Sequence, residues 1–380
     1  MRPLLDYCEA HLSDTVAAIE ALVRHESPST DKAAVDRCGV VLADMLRSAG
    51  GEVEVLPQPQ RGNHLRARFP GAGRPLLLLG HFDTVWPIGT LDGMPLRRDG
   101  DRLHGPGVFD MKAGIAMALT AVEALRATGT PHAPVTMLWT TDEEIGSGTS
   151  RETIEATARE SAAVLVLEPA LPGGALKTAR KGCGEFELTV HGVAAHAGLD
   201  PGKGASAIHE LAAQIAAIER FQDLPRGISV NVGIVAGGSR PNVVAAEARA
   251  TIDVRAPTRE AAAALEAAFQ GLHPRTPGTR LTVRGGFEKP PMERTALVAG
   301  LFARASHVAS SLGRDLAEGA AGGGSDGNFT AAAGVPTLDG LGAIGDGAHA
   351  AHEHVDVAAL PWRAALIAGL LASLQIQERG

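Results

Sequence analysis

His81 and Asp83 stand one residue apart directly after an apolar run, Leu76-Leu77-Leu78-Leu79. Thr141-Asp142-Glu143-Glu144 follows a second apolar run that begins at Val135, and Glu168 follows a third, Val164-Leu165-Val166-Leu167. Asp110 lies on the loop Gly105-Pro106-Gly107-Val108-Phe109, and a histidine-rich stretch, Gly347-Ala348-His349-Ala350-Ala351-His352-Glu353-His354, comes near the end of the chain. Carboxylates gathered at one place repel one another and raise each other's pKa unless a cation neutralises them. The economical reading is a metal site, and with this many candidate ligands a two-metal site. His81-x-Asp83 adds a mechanism, because an imidazole bound to metal through one nitrogen wants its other nitrogen hydrogen-bonded to a carboxylate. Singly, each element has a plainer reading: a structural histidine, a solvated Glu-Glu loop, an Asp that caps a helix. Their joint placement after three apolar runs is what favours the metal.

The elements that must position these residues are legible in the apolar pattern. Pro75–Leu79, Val135–Thr140 and Ala162–Leu167 are apolar without alternation, as strands covered on both faces are. In open α/β sheets ligands bind beyond the carboxyl ends of strands, where the polar residues stand here. Helical periodicity covers Leu4–Arg24 and Ala33–Ala49, the latter ending at Gly50-Gly51, and an Ala-, Leu- and Met-rich helix is expected over Met111–Thr128. Strands alternating with helices predict an α/β domain with a largely parallel sheet. From about Gly182 the texture changes. Glu185–Val190 alternates, Ala205–Arg220 is helical, Ile228–Val235 and Ala248–Val254 are strands, Thr258–Gln270 is a helix capped by its threonine, and Arg280–Arg284 is a last strand. That order, β-α-β-β-α-β, is ferredoxin-like. It predicts an α+β domain over residues 181–290 inserted into a domain made of residues 1–180 and 291–380. A Gly-rich loop at Ala321–Gly327 and a final helix, Leu360–Leu374, complete the larger domain.

Composition narrows the function classes. The 380 residues are 45% apolar and 3% aromatic, with 35 Lys and Arg against 43 Asp and Glu for a formal charge of −8. The acidic balance and the scarcity of aromatic rings argue against nucleic acid as a partner. Three cysteines, Cys8, Cys38 and Cys183, are too few and too scattered for a disulfide framework or a paired-cysteine zinc site, and are expected as free thiols. The charged N-terminal residues do not resemble a signal peptide, and the longest apolar stretch, Ala364–Leu374, is about half a membrane span. A soluble, cytoplasmic protein is the expectation.

Gly80-His81-Phe82-Asp83-Thr84-Val85, Gly105-Pro106-Gly107-Val108-Phe109-Asp110-Met111-Lys112-Ala113-Gly114, Thr141-Asp142-Glu143-Glu144-Ile145-Gly146-Ser147 and Leu167-Glu168-Pro169 together resemble the M20 metallopeptidase family, and within it the glutamate carboxypeptidases of the carboxypeptidase G2 type. The resemblance implies a zinc-peptidase-like catalytic domain with two zinc ions per subunit, cobalt or manganese being alternatives, and an inserted domain that forms a homodimer. Asp110 would bridge the metals, Glu144 and His349 would complete one ligand set, and His81 and Glu168 the other. Glu143 would be the general base and acid, taking a proton from the attacking water and passing it to the leaving nitrogen. Asp83 would orient His81. His349 is preferred to His352 because the family's ligand usually lies four residues before a Glu, here Glu353. In the inserted domain, His196 of Val193-Ala194-Ala195-His196-Ala197-Gly198 would assist oxyanion stabilisation in the partner subunit. Asn242 and Arg255 resemble substrate-binding positions, the guanidinium being suited to a terminal carboxylate, and the loop at Gly324 could add backbone donors. Lys289 stands where relatives often carry Arg.

Two other classes fit less well. Gly105-x-Gly107 suggests a dinucleotide-binding oxidoreductase, but Asp110 occupies the third glycine's place. A non-catalytic metal-binding protein is disfavoured by the presence of Glu143 beside a full ligand set. The expected substrate is a small peptide or N-acyl amino acid, cleaved at an amide next to a C-terminal carboxylate; an acetylornithine- or succinyl-diaminopimelate-type deacylase is the alternative.

Overall fold

A computed structural model describes residues 1–374. In chain order its main elements are α1 (Arg2–Ala10), α2 (Leu12–Arg24), α3 (Lys32–Ser48), β1 (Glu52–Leu56), β2 (His64–Phe69), β3 (Leu76–His81), α4 (Ala113–Thr128), β4 (Val135–Thr140), α5 (Arg151–Glu160) and β5 (Ala163–Val166). There follow β6 (Gly182–His191), α6 (Ala207–Ile218), β7 (Ser229–Gly237), β8 (Glu247–Ala256), α7 (Arg259–Gln270) and β9 (Arg280–Lys289). The chain then forms α8 (Ala296–Ser311), β10 (Thr337–Leu338) and α9 (Leu360–Ser373). It divides into two compact units, one of residues 1–178, 294–321 and 325–380, the other of residues 179–293 with Gly322–Gly324.

The larger unit is built on a six-stranded sheet of order β1-β2-β4-β3-β5-β10. β3 pairs in parallel with β4 and β5, and β10 in parallel with β5, while β1 and β2 run antiparallel, so the sheet is mixed and largely parallel. Alternate side chains of a strand face opposite ways. Leu76 and Leu78 accordingly join a core with α1–α4 and α9, whereas Leu77 and Leu79 join a second core with Ile154 and Ala158 of α5. That two-sided burial explains the absence of alternation in the sequence. α4 is buried on nearly every side, as its Ala-, Leu- and Met-rich composition requires. Register places His81 opposite Thr140, so the carboxyl ends of β3 and β4 lie level.

Several expected boundaries shift. The helix expected over Leu4–Arg24 is two helices, broken at His11, whose φ of −108° and ψ of 22° leave the helical region. The His11 ring stacks on Tyr7 at 3.9 Å. The helix expected from Met111 begins at Ala113, because Asp110 and Met111 take non-helical dihedrals within a wide turn, Val108–Lys112. β1 and β2 were not expected, although Glu52-Val53-Glu54-Val55-Leu56 alternates visibly. No helix among the described residues is long and apolar enough to cross a membrane. Cys8 and Cys38 are buried and Cys183 is half-buried, all as free thiols.

The smaller unit is an antiparallel sheet of order β7-β8-β6-β9. With the chain order β6-α6-β7-β8-α7-β9 this is the ferredoxin-like arrangement. Phe186 of β6 stacks on Phe269 of α7 at 4.0 Å in its core. Thr258 caps α7 as expected, its hydroxyl accepting from the Ala261 amide at 3.1 Å.

Arg363 of α9 is fully buried in the larger unit and donates to the carbonyls of Gly342, Gly174 and Gly340. An unsatisfied buried carbonyl costs about 1–3 kcal/mol. Arg363→Met should therefore lower unfolding free energy by at least ~3 kcal/mol, read from the denaturant midpoint; a midpoint like that of the unmutated chain would show that these bonds contribute nothing net.

Candidate active site

Three of the expected ligands reach one place because three strands end together. His81 is the last residue of β3, Glu143 and Glu144 form a short 3₁₀ turn after β4, and Glu168 follows β5. Asp110 comes from the wide turn that leads into α4. His349 comes from the turn between Gly347 and Glu353, with a left-handed φ of 61° that is uncommon for a residue with a side chain. His81 is 1% exposed. Its Nε2 lies 3.3 Å from Asp110 Oδ1 and 3.4 Å from Glu168 Oε1. Across the site, His349 Nε2 is 3.0 Å from Glu144 Oε2 and 3.4 Å from Asp110 Oδ2. Asp110 thus offers one oxygen to each histidine.

Two groups of donor atoms lie within 4.8 Å of one another: His81 with Asp110 and Glu144, and His81 with Glu143 and Glu168. Glu143, expected beside the ligands, is close enough to contribute an oxygen to the second group. His81 Nε2 and Asp110 Oδ1 are buried and make no hydrogen bond among the described residues, although they face each other. Orphaned buried polar atoms are rare and costly. Imidazole and carboxylate donors of this kind suit zinc and related divalent cations, so the residues present fit the expected metal pair.

The electrostatics point the same way. Burial opposes protonation of His81, yet Asp110, Asp83 and Glu168 outweigh it and hold the imidazole well above its ordinary range. Asp110 and Glu144 lift His349 to about 10. Burial pushes the Asp110 carboxyl up, but the imidazoles of His349 and His81 beside it more than reverse this and hold it far below the usual carboxylate range. Glu144 is raised by burial and by Asp110 against the opposing effect of His349. The two imidazoles hold protons where a cation would otherwise supply the positive charge.

Asp83 is fully buried. His81 Nδ1 contacts its backbone carbonyl at 3.1 Å and its carboxylate Oδ1 at 3.4 Å. Ser29, which sequence reasoning did not single out, donates to Asp83 Oδ2 at 2.6 Å, and the Glu144 amide donates to the same oxygen at 3.4 Å. Asp142 holds the Glu143-Glu144 turn from below. Its carbonyl accepts from the Ile145 and Ser147 amides, and its carboxylate from the Thr149 amide and hydroxyl. Ser147 in turn donates to buried Asp326. Glu353 lies fully buried behind Asp110. Asp142, Ser147 and Glu353 stand within or next to the quoted motifs, which was their one sequence signal, whereas Ser29 carries none.

The remaining candidates lie in the smaller unit. His196 is exposed, and its Nδ1 accepts from the Gly198 and Leu199 amides at 3.1 Å each. A neutral imidazole bonded in that way carries its proton on Nε2 as a donor. Asn242 is on the segment that pairs with His196, its carbonyl accepting from the Ala197 amide. Arg255 is gripped by Asp253 through two bonds of 3.0 and 2.6 Å. Register aligns Arg255, Cys183 and Lys289 in one row across β8, β6 and β9. A Cβ on Gly324 would lie 3.0 Å from Cys183 Sγ and 3.2 Å from the Lys289 side chain, so the bare backbone makes a close approach there. His352 is exposed, its Nε2 being 3.9 Å from Asp346.

The chain is 30% identical over 371 residues to carboxypeptidase G2 of Pseudomonas sp. strain RS-16, covering 94% of this chain and 89% of that one. It is 29% identical over 270 residues to acetylornithine deacetylase of Erwinia tasmaniensis, covering 64% and 68%. Among solved structures, the fold matches that of the Bacillus subtilis YXEP protein, described as a dinuclear metal-binding peptidase of the M20 family. The TM-score is 0.70 at 16% identity, over 96% of this chain and 99% of that one. The peptidase family M20/M25/M40 matches residues 77–373, the stretch that carries every metal-ligand candidate, and with that match the chain, a metal-dependent hydrolase, belongs to this family.

Proposed function

We propose that the protein is a two-zinc carboxypeptidase that cleaves an amide adjacent to a C-terminal, carboxylate-bearing amino acid, glutamate foremost. The observation that carries this reading is the pair of overlapping donor groups around His81, with orphaned His81 Nε2 and Asp110 Oδ1 between them. Asp110 would be shared between the cations, Glu144 and His349 holding one and His81 and Glu168 the other. A bound zinc pair supplies Lewis acidity, lowering the pKa of water to about 7 and offsetting negative charge on the attacked amide oxygen. Glu143 would accept the proton of the attacking water and deliver it to the leaving nitrogen, a role its half-exposed place beside the ligands suits. Asp83 would fix the ring and tautomer of His81.

In the smaller unit, His196 would present its Nε2–H to the developing oxyanion in the partner subunit of a homodimer. Asn242, Arg255 and the backbone at Gly324 would bind the substrate. Arg255 would then exchange Asp253 for the substrate carboxylate, trading one bidentate pair for another. Dimerisation through this unit is supported by its edge strand β7, on which Ile234 and Val235 are 64% and 56% exposed.

A second reading keeps the chemistry and changes the substrate to an N-acyl amino acid; the deacetylase relative favours it.

Glu143→Gln should lose about 10²- to 10⁴-fold in kcat while retaining its metal; near-normal turnover in that variant removes the general-base assignment. Chelation should abolish activity, and titration with zinc should restore it fully only at two equivalents per chain. Full recovery at one equivalent would refute the cooperating pair. A panel of folate-like and dipeptidyl glutamates beside N-acetyl and N-succinyl amino acids should give the highest kcat/KM for a glutamate amide, and preference for an acylated diamino acid would replace the carboxypeptidase with the deacylase.

A further inference from the structure

Glu353 takes no part in the chemistry above, yet its carboxylate accepts four hydrogen bonds beside the site. Oε2 accepts from the Gly107 amide and from the Trp86 indole, both at 2.9 Å. Oε1 accepts from the Phe109 amide at 2.9 Å and the Asp110 amide at 3.0 Å. The side chain is 0% exposed. Its backbone is tied in as well: its carbonyl accepts from the Gly105 amide, and its own amide donates to Ala350, the residue after His349. Gly107 can meet it because φ there is +72° and a Cβ would lie 2.5 Å from Thr84. One carboxylate therefore joins three segments: the Gly105–Asp110 loop, the turn bearing His349, and Trp86, three residues beyond Asp83.

We propose that Glu353 is a positioning residue for metal binding, holding the Asp110 loop and the His349 turn in mutual register so that both ligands meet the same cation. This rests on the two-metal reading above. The four donors require a carboxylate specifically. Glutamine has the same shape but two acceptor sites on a single oxygen, so in either orientation its NH₂ faces two N–H groups. Substituting it keeps the volume, breaks the bonds on one side, and leaves buried donors unpaired.

The test is titration of the chelated protein with zinc, comparing unmutated chain, Glu353→Gln and Trp86→Phe by calorimetry, together with Tm of the chelated and zinc-loaded forms. Loss of such an outer partner typically costs 10–100-fold in metal affinity. For Glu353→Gln the expected result is a Kd raised by about that factor, with a correspondingly smaller gap between loaded and chelated Tm. A purely structural residue would lower both Tm values alike and leave Kd unchanged, and that result overturns the proposal. Should Glu353→Gln not fold, Trp86→Phe decides. It removes one donor and should raise Kd by about 2- to 10-fold, whereas an unchanged Kd rejects the role. If the unmutated chain takes up no zinc, the two-metal reading fails and this inference with it; equal uptake by both proteins sinks this inference alone.

Discussion

His81, buried to 1% exposure, has three carboxylates within 3.4 Å of its ring nitrogens: Asp83 on one side, Asp110 and Glu168 on the other. Burying charge is expensive unless each group finds a partner, and breaking one member of such a cluster leaves the rest uncompensated. Much of the larger unit can be understood as the means of sustaining that concentration. A parallel sheet covered on both faces provides three strand ends at one level. Loops leaving those ends need not cross one another, so acids distant in sequence can converge. Ser29, Asp142 and the Glu144 amide then occupy oxygens of the cluster or fix its turns, leaving His81 Nε2 and Asp110 Oδ1 without a hydrogen bond among the described residues.

The parts of this arrangement with a strong periodic signature were legible in the sequence. Leu76–Leu79, Val135–Thr140 and Val164–Leu167 are apolar on both alternations because two cores claim them, and the polar residue after each run marks where the sheet stops. The order of elements in the smaller unit was legible for the same reason, each segment having a clear period. What was not legible depended on local backbone detail or long-range hydrogen bonding. Asp110 and Met111 leave helical dihedrals although their neighbours' composition is helical. His11 divides a stretch whose apolar residues keep helical spacing throughout. Ser29 pairs with an aspartate 54 residues away, a relation that no local pattern encodes.

The proposed interface and the proposed substrate-binding residues share one small fold. Its core is closed by Phe186, Phe221 and Phe269, which leaves the ends of the sheet free for polar work. The row Arg255, Cys183 and Lys289 puts a cation on each of the two strands beside β6, flanking a thiol. Lys289 supplies positive charge as a point charge rather than a planar fork. A carboxylate held there would meet one bidentate and one monodentate partner.

The bonds from Glu353 to the Gly107, Phe109 and Asp110 amides span 246, 244 and 243 residues of sequence. Contacts of such separation form late, because the loop entropy they close must first be offset by other structure. On the ribosome, the Asp110 loop emerges well before the carboxylate that shapes it. A nascent chain, or one cut short before residue 353, would carry Asp110 without the carboxylate that holds its loop. Competence at the proposed centre would thus wait until the segment bearing His349 and Glu353 has been made, 243 residues after Asp110.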